Sequence, residues 1–280
     1  MSGKIAFQGE PGAYSHEACR GARPELEPMP CSTFEDAVEA VKSGAAELAI
    51  LPVENSIYGR VADIHRLLPE SGLHIVGEHF VPIHINLLAI GGTDISNIRT
   101  AMSHMVLLGQ CREFIRTRGI KSIIWTDTAA SAKHVAETGD PTLAALASEL
   151  AAEIYGLDII VPSIQDEQSN RTRFLVMSRT DDRSRRSEKM MTSFFFEVRN
   201  IPAALYKALG GFATHGVNMV KLDSHMVGGS FHNTRFFADV EGHPDDQEVK
   251  GSLEELALFT TSVKILGVYP ADPERFTESK

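Results

Sequence analysis

Cysteine is scarce in this chain: Cys19, Cys31 and Cys111 are the only three in 280 residues, and no Cys-x-x-Cys pair occurs. Spacings this wide support neither a disulfide framework nor a thiolate metal centre. They read as the reduced thiols of a cytoplasmic protein, with Cys111 a small core residue. Long apolar runs are missing too. No window approaches a membrane span, and residues 1–7 lack the apolar core of a signal peptide. Positive charge is in deficit, with 27 Lys and Arg against 37 Asp and Glu and a net charge of −10. That balance counts against nucleic acid or an anionic membrane as the partner. The eleven histidines show no metal-ligand spacing, and His225 and His232 read as packing or surface residues. His-Glu-x-x-His, paired-carboxylate, Ser-His-Asp and Walker patterns are all absent, and no structural metal is expected. No repeats or low-complexity tracts appear.

What is present is ordinary in bulk and specific in detail. An apolar fraction of 43% and a charged fraction of 23% describe a globular chain long enough to bury a sizeable core. Residues 178–193 (SRTDDRSRRSEKMMTS) are charged and nearly empty of large apolar side chains, which marks a linker at 179–192. Before it, strand-like and helix-like patterns alternate. Residues 4–7 read as a strand. Ser32 with Glu35 makes a capping box, and Phe34, Ala37, Val38 and Val41 follow at helical spacing until Gly44. Residues 48–51, 74–81 and 84–90 read as strands. Residues 104–118, 128–138 and 142–155 read as helices. This alternation predicts an α/β domain with a largely parallel sheet, whose ligands bind at the carboxyl ends of strands. After the linker the order is strand 194–198, helix 203–215, strands 217–224 and 231–240, helix 247–259 and strand 263–269. Gly228-Gly229-Ser230 is the expected hairpin. The βαββαβ order is ferredoxin-like.

Asn170-Arg171-Thr172-Arg173-Phe174 concentrates two guanidinium forks and a hydroxyl at the start of an apolar strand. Guanidinium groups grip carboxylates, and the hydroxyl can donate to what they hold. Taken alone, the five residues describe a solvated loop entering a strand more readily than a site. Pro52-Val53-Glu54-Asn55-Ser56-Ile57-Tyr58-Gly59 follows a strand and can present an amide and a hydroxyl, or simply bond its own turn. Gly9-Glu10-Pro11-Gly12-Ala13-Tyr14-Ser15 is a strand-to-helix junction, either a carboxylate site or a tight turn. Ser103 and Gln110, seven residues apart in the expected helix, would share one face, as cleft donors or as a cap and a surface residue.

Together, and in this order, these motifs resemble the prephenate dehydratase family. Ser103-His104 with Gln110-Cys111, residues 126–130, Tyr155-Gly156-Leu157 and Ile164-Gln165-Asp166 extend the likeness over nearly the whole chain. The resemblance implies a bilobal, periplasmic-binding-protein-like catalytic domain over 1–178, its second lobe at about 80–155. Behind it would lie a ferredoxin-like ACT regulatory domain over 193–271. It implies conversion of prephenate to phenylpyruvate without metal or redox cofactor, in the cytoplasm, by a homodimer or homotetramer. Thr172 matches the family's essential threonine; Asn55, Ser103 and Gln110 match further catalytic positions. Arg173, Arg171, Ser15 and Thr128 are the implied substrate-binding residues, Arg173 as the carboxylate clamp, and Asp127 stands where some members are acidic. Leu205, Asn218 and Ser224 are the implied site for an L-phenylalanine effector. Four positions depart from the family pattern: Ala13 for threonine, Met105-Val106 for Pro-Gln, Ala203 for glycine, and Asp223-Ser224-His225-Met226 for Glu-Ser-Arg-Pro. The last two bear on effector affinity. The alternatives are an arogenate dehydratase and a non-catalytic amino-acid-binding sensor.

Overall fold

The computed structural model describes residues 3–226 and 234–277. The expected hairpin at 228–230, the first residues of the strand placed at 231–240, and His232 lie outside the described residues. The chain divides into two compact units, one of residues up to Ile64 with His79–Phe174, the other of His65–Glu78 with Leu175–Phe276. These units cut the chain at places other than the 179–192 linker. Residues 65–78 join the C-terminal elements because strand pairing, a long-range interaction, draws them there.

In the first unit, β1 (Lys4–Gln8), α1 (Tyr14–Ala22), β2 (Glu27–Cys31), α2 (Phe34–Ser43) and β3 (Leu48–Asn55) alternate as the sequence predicts. β1 lies parallel to both β2 and β3. The capping box of α2 is one residue later than expected: Thr33 Oγ1 accepts from Asp36 N, and Asp36 Oδ2 accepts from Thr33 N. β4 (Gly59–Arg60) turns back along β3. After α3 (Ala62–Leu67) and β5 (His74–Pro82), a second sheet begins with β6 (Asn86–Ala89) and β7 (Thr100–Ser103). The helix expected over 104–118 is two, α4 (Met105–Gln110) and α5 (Arg112–Arg118), and Ser103 belongs to β7. β8 (Lys121–Ile124) and α6 (Thr128–Thr138) follow.

The alanine-rich segment at 142–155, expected as one helix, begins instead as strand β9 (Leu143–Ala147) before α7 (Glu149–Tyr155). A short apolar run fits a buried strand and a buried helix equally well; here pairing with β6 and β7 decides it. β10 (Asp158–Val161) completes the sheet, in the order β10-β6-β9-β7-β8. Its core joins Leu88, Ala145 and Ala147 to Ala132, Val135, Ala151 and Leu157. β11 (Arg171–Ser178) then pairs beside β3.

In the second unit, β12 (Met190–Val198), α8 (Ala204–Thr214), β13 (Met219–Met226), β14 (Thr234–Glu241), α9 (Gln247–Phe259) and β15 (Thr260–Pro270) realise the βαββαβ order. The antiparallel sheet runs β13-β14-β12-β15. Phe194, Phe196, Phe236 and Ala238 face Ala208, Phe212, Val249 and Leu256 of the two helices. β15 pairs in parallel with β5 at Gly267 and Ile75, where a Cβ on residue 267 would collide with Ile75 O. Only glycine permits that approach. Among the described residues, no helix is long and apolar enough to cross a membrane.

Candidate active site

Four of the expected site residues converge where β3 ends and β11 begins. Asn55 Oδ1 accepts from the N–H groups of Ile57 and Tyr58, both at 3.0 Å, the local turn bond typical of asparagine. That bond fixes the amide orientation, so Nδ2 faces β11. There it lies 2.7 Å from Asn170 Oδ1, 3.1 Å from Arg171 O and 3.0 Å from Thr172 Oγ1. Two amide hydrogens therefore serve three acceptors. Asn170 is buried and extends the chain of bonds, its Nδ2 donating to Gln110 Oε1 at 3.0 Å. Gln110 keeps its own NH2 group without a partner among the described residues. Thr172 Oγ1 is engaged as an acceptor, which leaves its proton to be donated outward. Ser56 stitches the two segments together. Its N–H donates to Arg171 O, its hydroxyl to Ser169 O, and it accepts from Arg171 N. Its hydroxyl is spent on backbone and not on a ligand.

Two further expected residues bond within the chain. Arg173 is 2% exposed, and its Nη1 donates to Glu54 Oε1 at 2.9 Å. Side chains alternate along a strand, so Arg173 also points away from the face carrying Thr172. Its charge is met within the chain by Glu54; half-buried Arg171 is the other fork. Ser103 is fully buried at the end of β7, and its hydroxyl donates to Leu146 O at 2.7 Å. It shares no helix face with Gln110, because β7 runs between β8 and β9.

The glycine junction is held by the elements of the second sheet. Ser148 Oγ donates to Gly12 O at 2.6 Å, Tyr155 OH to Pro11 O at 2.8 Å, and Tyr14 OH to His84 O at 2.8 Å. Gly12 has φ +93°, and a Cβ there would meet Ala151 Cα at 2.8 Å, so both conformation and packing require glycine. Ser15 is buried on α1, and Thr128 opens α6 behind its cap Asp127. Asp127 Oδ1 accepts from Ala129 N and Ala130 N. Burial holds its pKa above the usual carboxylate range despite those bonds. Neither Ser15 nor Thr128 joins the Asn55 network. Burial also pushes Tyr155 up to about 12 and Glu17 up to about 7.

Beside the network opens a pocket of about 340 Å3 lined by Ile57, Tyr58, Gln110, Arg112, Glu167 and Asn170, within the roughly 300–1,000 Å3 usual for small-molecule sites. Tyr58, Arg112 and Glu167 were not expected there. Their signal is proximity in sequence: Tyr58 lies within the Pro52–Gly59 motif, and Arg112 and Glu167 each directly follow a motif residue. Among the described residues, no group of three or more His, Cys, Asp or Glu side chains could hold a metal.

In the second unit a pocket of about 230 Å3 lies at the turn into α8, lined by Arg199, Ile201, Ala203, Leu205, Thr234 and Phe236 among others. Ala203, in the family's glycine position, has φ +62°. Of the three expected effector residues only Leu205 lines this pocket. Asn218 precedes β13, its carbonyl accepting from Glu241 N, and Ser224 is exposed on β13.

A family model described as prephenate dehydratase matches residues 5–182. A bifunctional N-acyl-homoserine lactone acylase/prephenate dehydratase of Komagataeibacter europaeus is 48% identical over 272 residues, 97% of each chain. Arogenate dehydratase/prephenate dehydratase 1 of Arabidopsis thaliana, a chloroplastic protein, is 36% identical over 96% of this chain and 72% of its own. The crystal structure of prephenate dehydratase from Arthrobacter aurescens in complex with L-Phe is 28% identical and superimposes with a TM-score of 0.88, covering 99% of this chain and 92% of that one.

Proposed function

The chain belongs to the prephenate dehydratase family, and from that premise we propose that it converts prephenate to phenylpyruvate, water and carbon dioxide. The observation that carries the reading is the Thr172 hydroxyl, held by Asn55 Nδ2 at 3.0 Å with its proton unspent. Cleavage of the ring carboxylate as carbon dioxide pushes its electron pair into the ring, and the ring hydroxyl departs as that ring becomes aromatic. The protein must therefore hold the carboxylates and stabilise a departing hydroxide. Thr172 is too weak an acid to give up its proton near neutral pH, so it stabilises hydroxide by hydrogen bonding while water supplies the proton. Asn55 orients that hydroxyl, and the unpartnered amide of Gln110 offers a second preorganised donor. Arg173 serves by fixing Glu54 and the start of β11.

The proposal extends to the remaining expectations. Residues 1–178 are the catalytic part and 193–271 the ACT regulatory part, with L-phenylalanine as effector. A relative crystallised with L-Phe supports this. β13 is an edge strand with Val220, Leu222 and Met226 exposed, which supports pairing of two copies, because an open edge invites a second strand. Three free cysteines accord with the cytoplasm.

Incubating the purified protein with prephenate should generate phenylpyruvate absorbance; a protein that leaves prephenate untouched is not this enzyme but, on the alternative reading, an amino-acid-binding sensor. A second reading has one specific support, the 48% identity to a relative also named as an N-acyl-homoserine lactone acylase. Release of homoserine lactone from an N-acyl derivative tests it, and absence of release removes it.

A further inference from the structure

The pocket beside the Asn55 network holds two charges that the rest of the molecule does not use. Arg112 opens α5 and Glu167 lies in the segment before β11. Both are exposed, and neither side chain forms an ion pair or hydrogen bond among the described residues, with the other included. The third charged residue of the wall is committed: Asp166 accepts from Arg112 N at 3.0 Å and Glu113 N at 3.3 Å. Gly109 shows how tightly the wall is drawn. A Cβ there would lie 2.5 Å from Tyr58 Oη and 3.8 Å from Arg112 Nη2, so phenol and guanidinium cover the same helical turn.

Opposite charges that share a wall without pairing, beside the rings and methyls of Tyr58 and Ile57, match a zwitterion on an apolar body. An α-amino acid head group would give its carboxylate to the guanidinium and its ammonium to the carboxylate, each a charge-assisted bond. A 2-oxo acid satisfies Arg112 alone and turns its ketone oxygen toward the Glu167 carboxylate, which offers no proton. We infer that this pocket takes the side-chain head group of the substrate, Arg112 binding its carboxylate and Glu167 reading the amino group, so that the enzyme turns over arogenate as well as prephenate. Asn170 and Gln110, on the same pocket, then face the ring. The inference rests on the dehydratase reading above and names the residues that set its substrate class.

The test is steady-state kinetics of the full chain on both substrates, for the unaltered protein and for Arg112→Gln, Arg112→Lys, Glu167→Gln and Glu167→Asp, with thermal unfolding followed in parallel. Arg112→Gln should raise KM for both substrates about tenfold or more with kcat little changed, since one charge-assisted bond is lost, and Arg112→Lys should recover part of it. Glu167→Gln should lower kcat/KM about tenfold for arogenate and leave prephenate unchanged or improved; Glu167→Asp should retain arogenate turnover. An unaltered ratio of the two substrates in Glu167→Gln, or an unaltered KM in Arg112→Gln, overturns the assignment while leaving the dehydratase reading intact. No turnover of either substrate by the unaltered protein overturns both.

Discussion

The pocket beside Asn170 and the pocket at the turn into α8 are made in opposite ways. The larger is walled by side chains from three separate segments, Ile57 and Tyr58, Gln110 and Arg112, and Glu167 and Asn170. Asn170 reaches Gln110 there, and the Asn55–Thr172 bond lies beside it. The smaller is walled mainly by one contiguous turn, residues 198–206, with Thr234 and Phe236 behind it. A network assembled from distant segments holds polar groups rigidly, because each member is fixed by partners that are themselves fixed. A pocket made by one turn depends on the backbone conformation of that turn, and here the turn includes an alanine at φ +62°. Preorganised hydrogen bonding and local backbone strain are thus separated between the two units.

That contrast can be broken most forcefully at Thr172. Thr172→Ala should lower kcat for phenylpyruvate formation by about 10²–10³-fold, the scale of losing one preorganised donor, while the unfolding transition stays in place. Near-normal turnover in that variant would end the network's claim to the chemistry.

Arg173 sharpens the same comparison through stability. Arg173→Ala leaves Glu54 without the partner it has at 2.9 Å and should cost about 3 kcal/mol, as for other broken buried pairs. Denaturant unfolding measures this, and it should contrast with Arg112→Gln, which should change KM and not stability. A stable Arg173→Ala with a raised KM would restore Arg173 as a substrate clamp.

Glu17, on α1, offers a pH-dependent test. Burial raises its pKa from 4.5 to about 7. Between those values the folded chain keeps a proton that the unfolded chain releases. This group's contribution to stability is therefore fully present below pH 4.5 and is lost as pH rises through about 7. Glu17→Gln should flatten that slope, gaining on the order of 2 kcal/mol over the parent at pH 8 and almost nothing at pH 4. Parallel stability profiles for the two proteins would show that the carboxyl is not held protonated.

The smallest effect belongs to the second pocket. A left-handed alanine costs roughly 1–2 kcal/mol that glycine does not pay. Ala203→Gly should therefore stabilise the chain by about 1 kcal/mol, less glycine's entropic penalty, as read from the urea midpoint. A lowered midpoint would mean the turn has already absorbed the strain.

Much of the fold was legible because helices and strands write their periods locally. Thr33 and Gly44 bracket α2 as capping chemistry requires, one residue from the expected start. β9 was read as helix because Leu143–Ala147 carries no β-branched or aromatic signal, and only its pairing with β6 and β7 makes it a strand. Ser103 looked like a cleft donor because its spacing from Gln110 suits a helix. His104 caps α4 by accepting from Val106 N, so the helix begins at Met105 and leaves Ser103 on β7, which removes that relation. Motifs single out Asn55 and Thr172 as candidates, whereas their mutual hydrogen bond is not legible in the sequence.

By itself the sequence determined the alternation of strands and helices, the βαββαβ order after the linker, and the family register of Asn55, Gln110 and Thr172. These depend on neighbours within a turn or a strand, or on motifs that are strings of residues. Tertiary structure alone decided which arginine is spent and which is available. Glu54 and Arg173 are 119 residues apart, yet one neutralises the other; Arg112 and Glu167 come to one pocket from separate elements and form no pair among the described residues. A side chain's charge is written in its residue type, but whether that charge is met depends on which distant group the fold brings within a few ångströms.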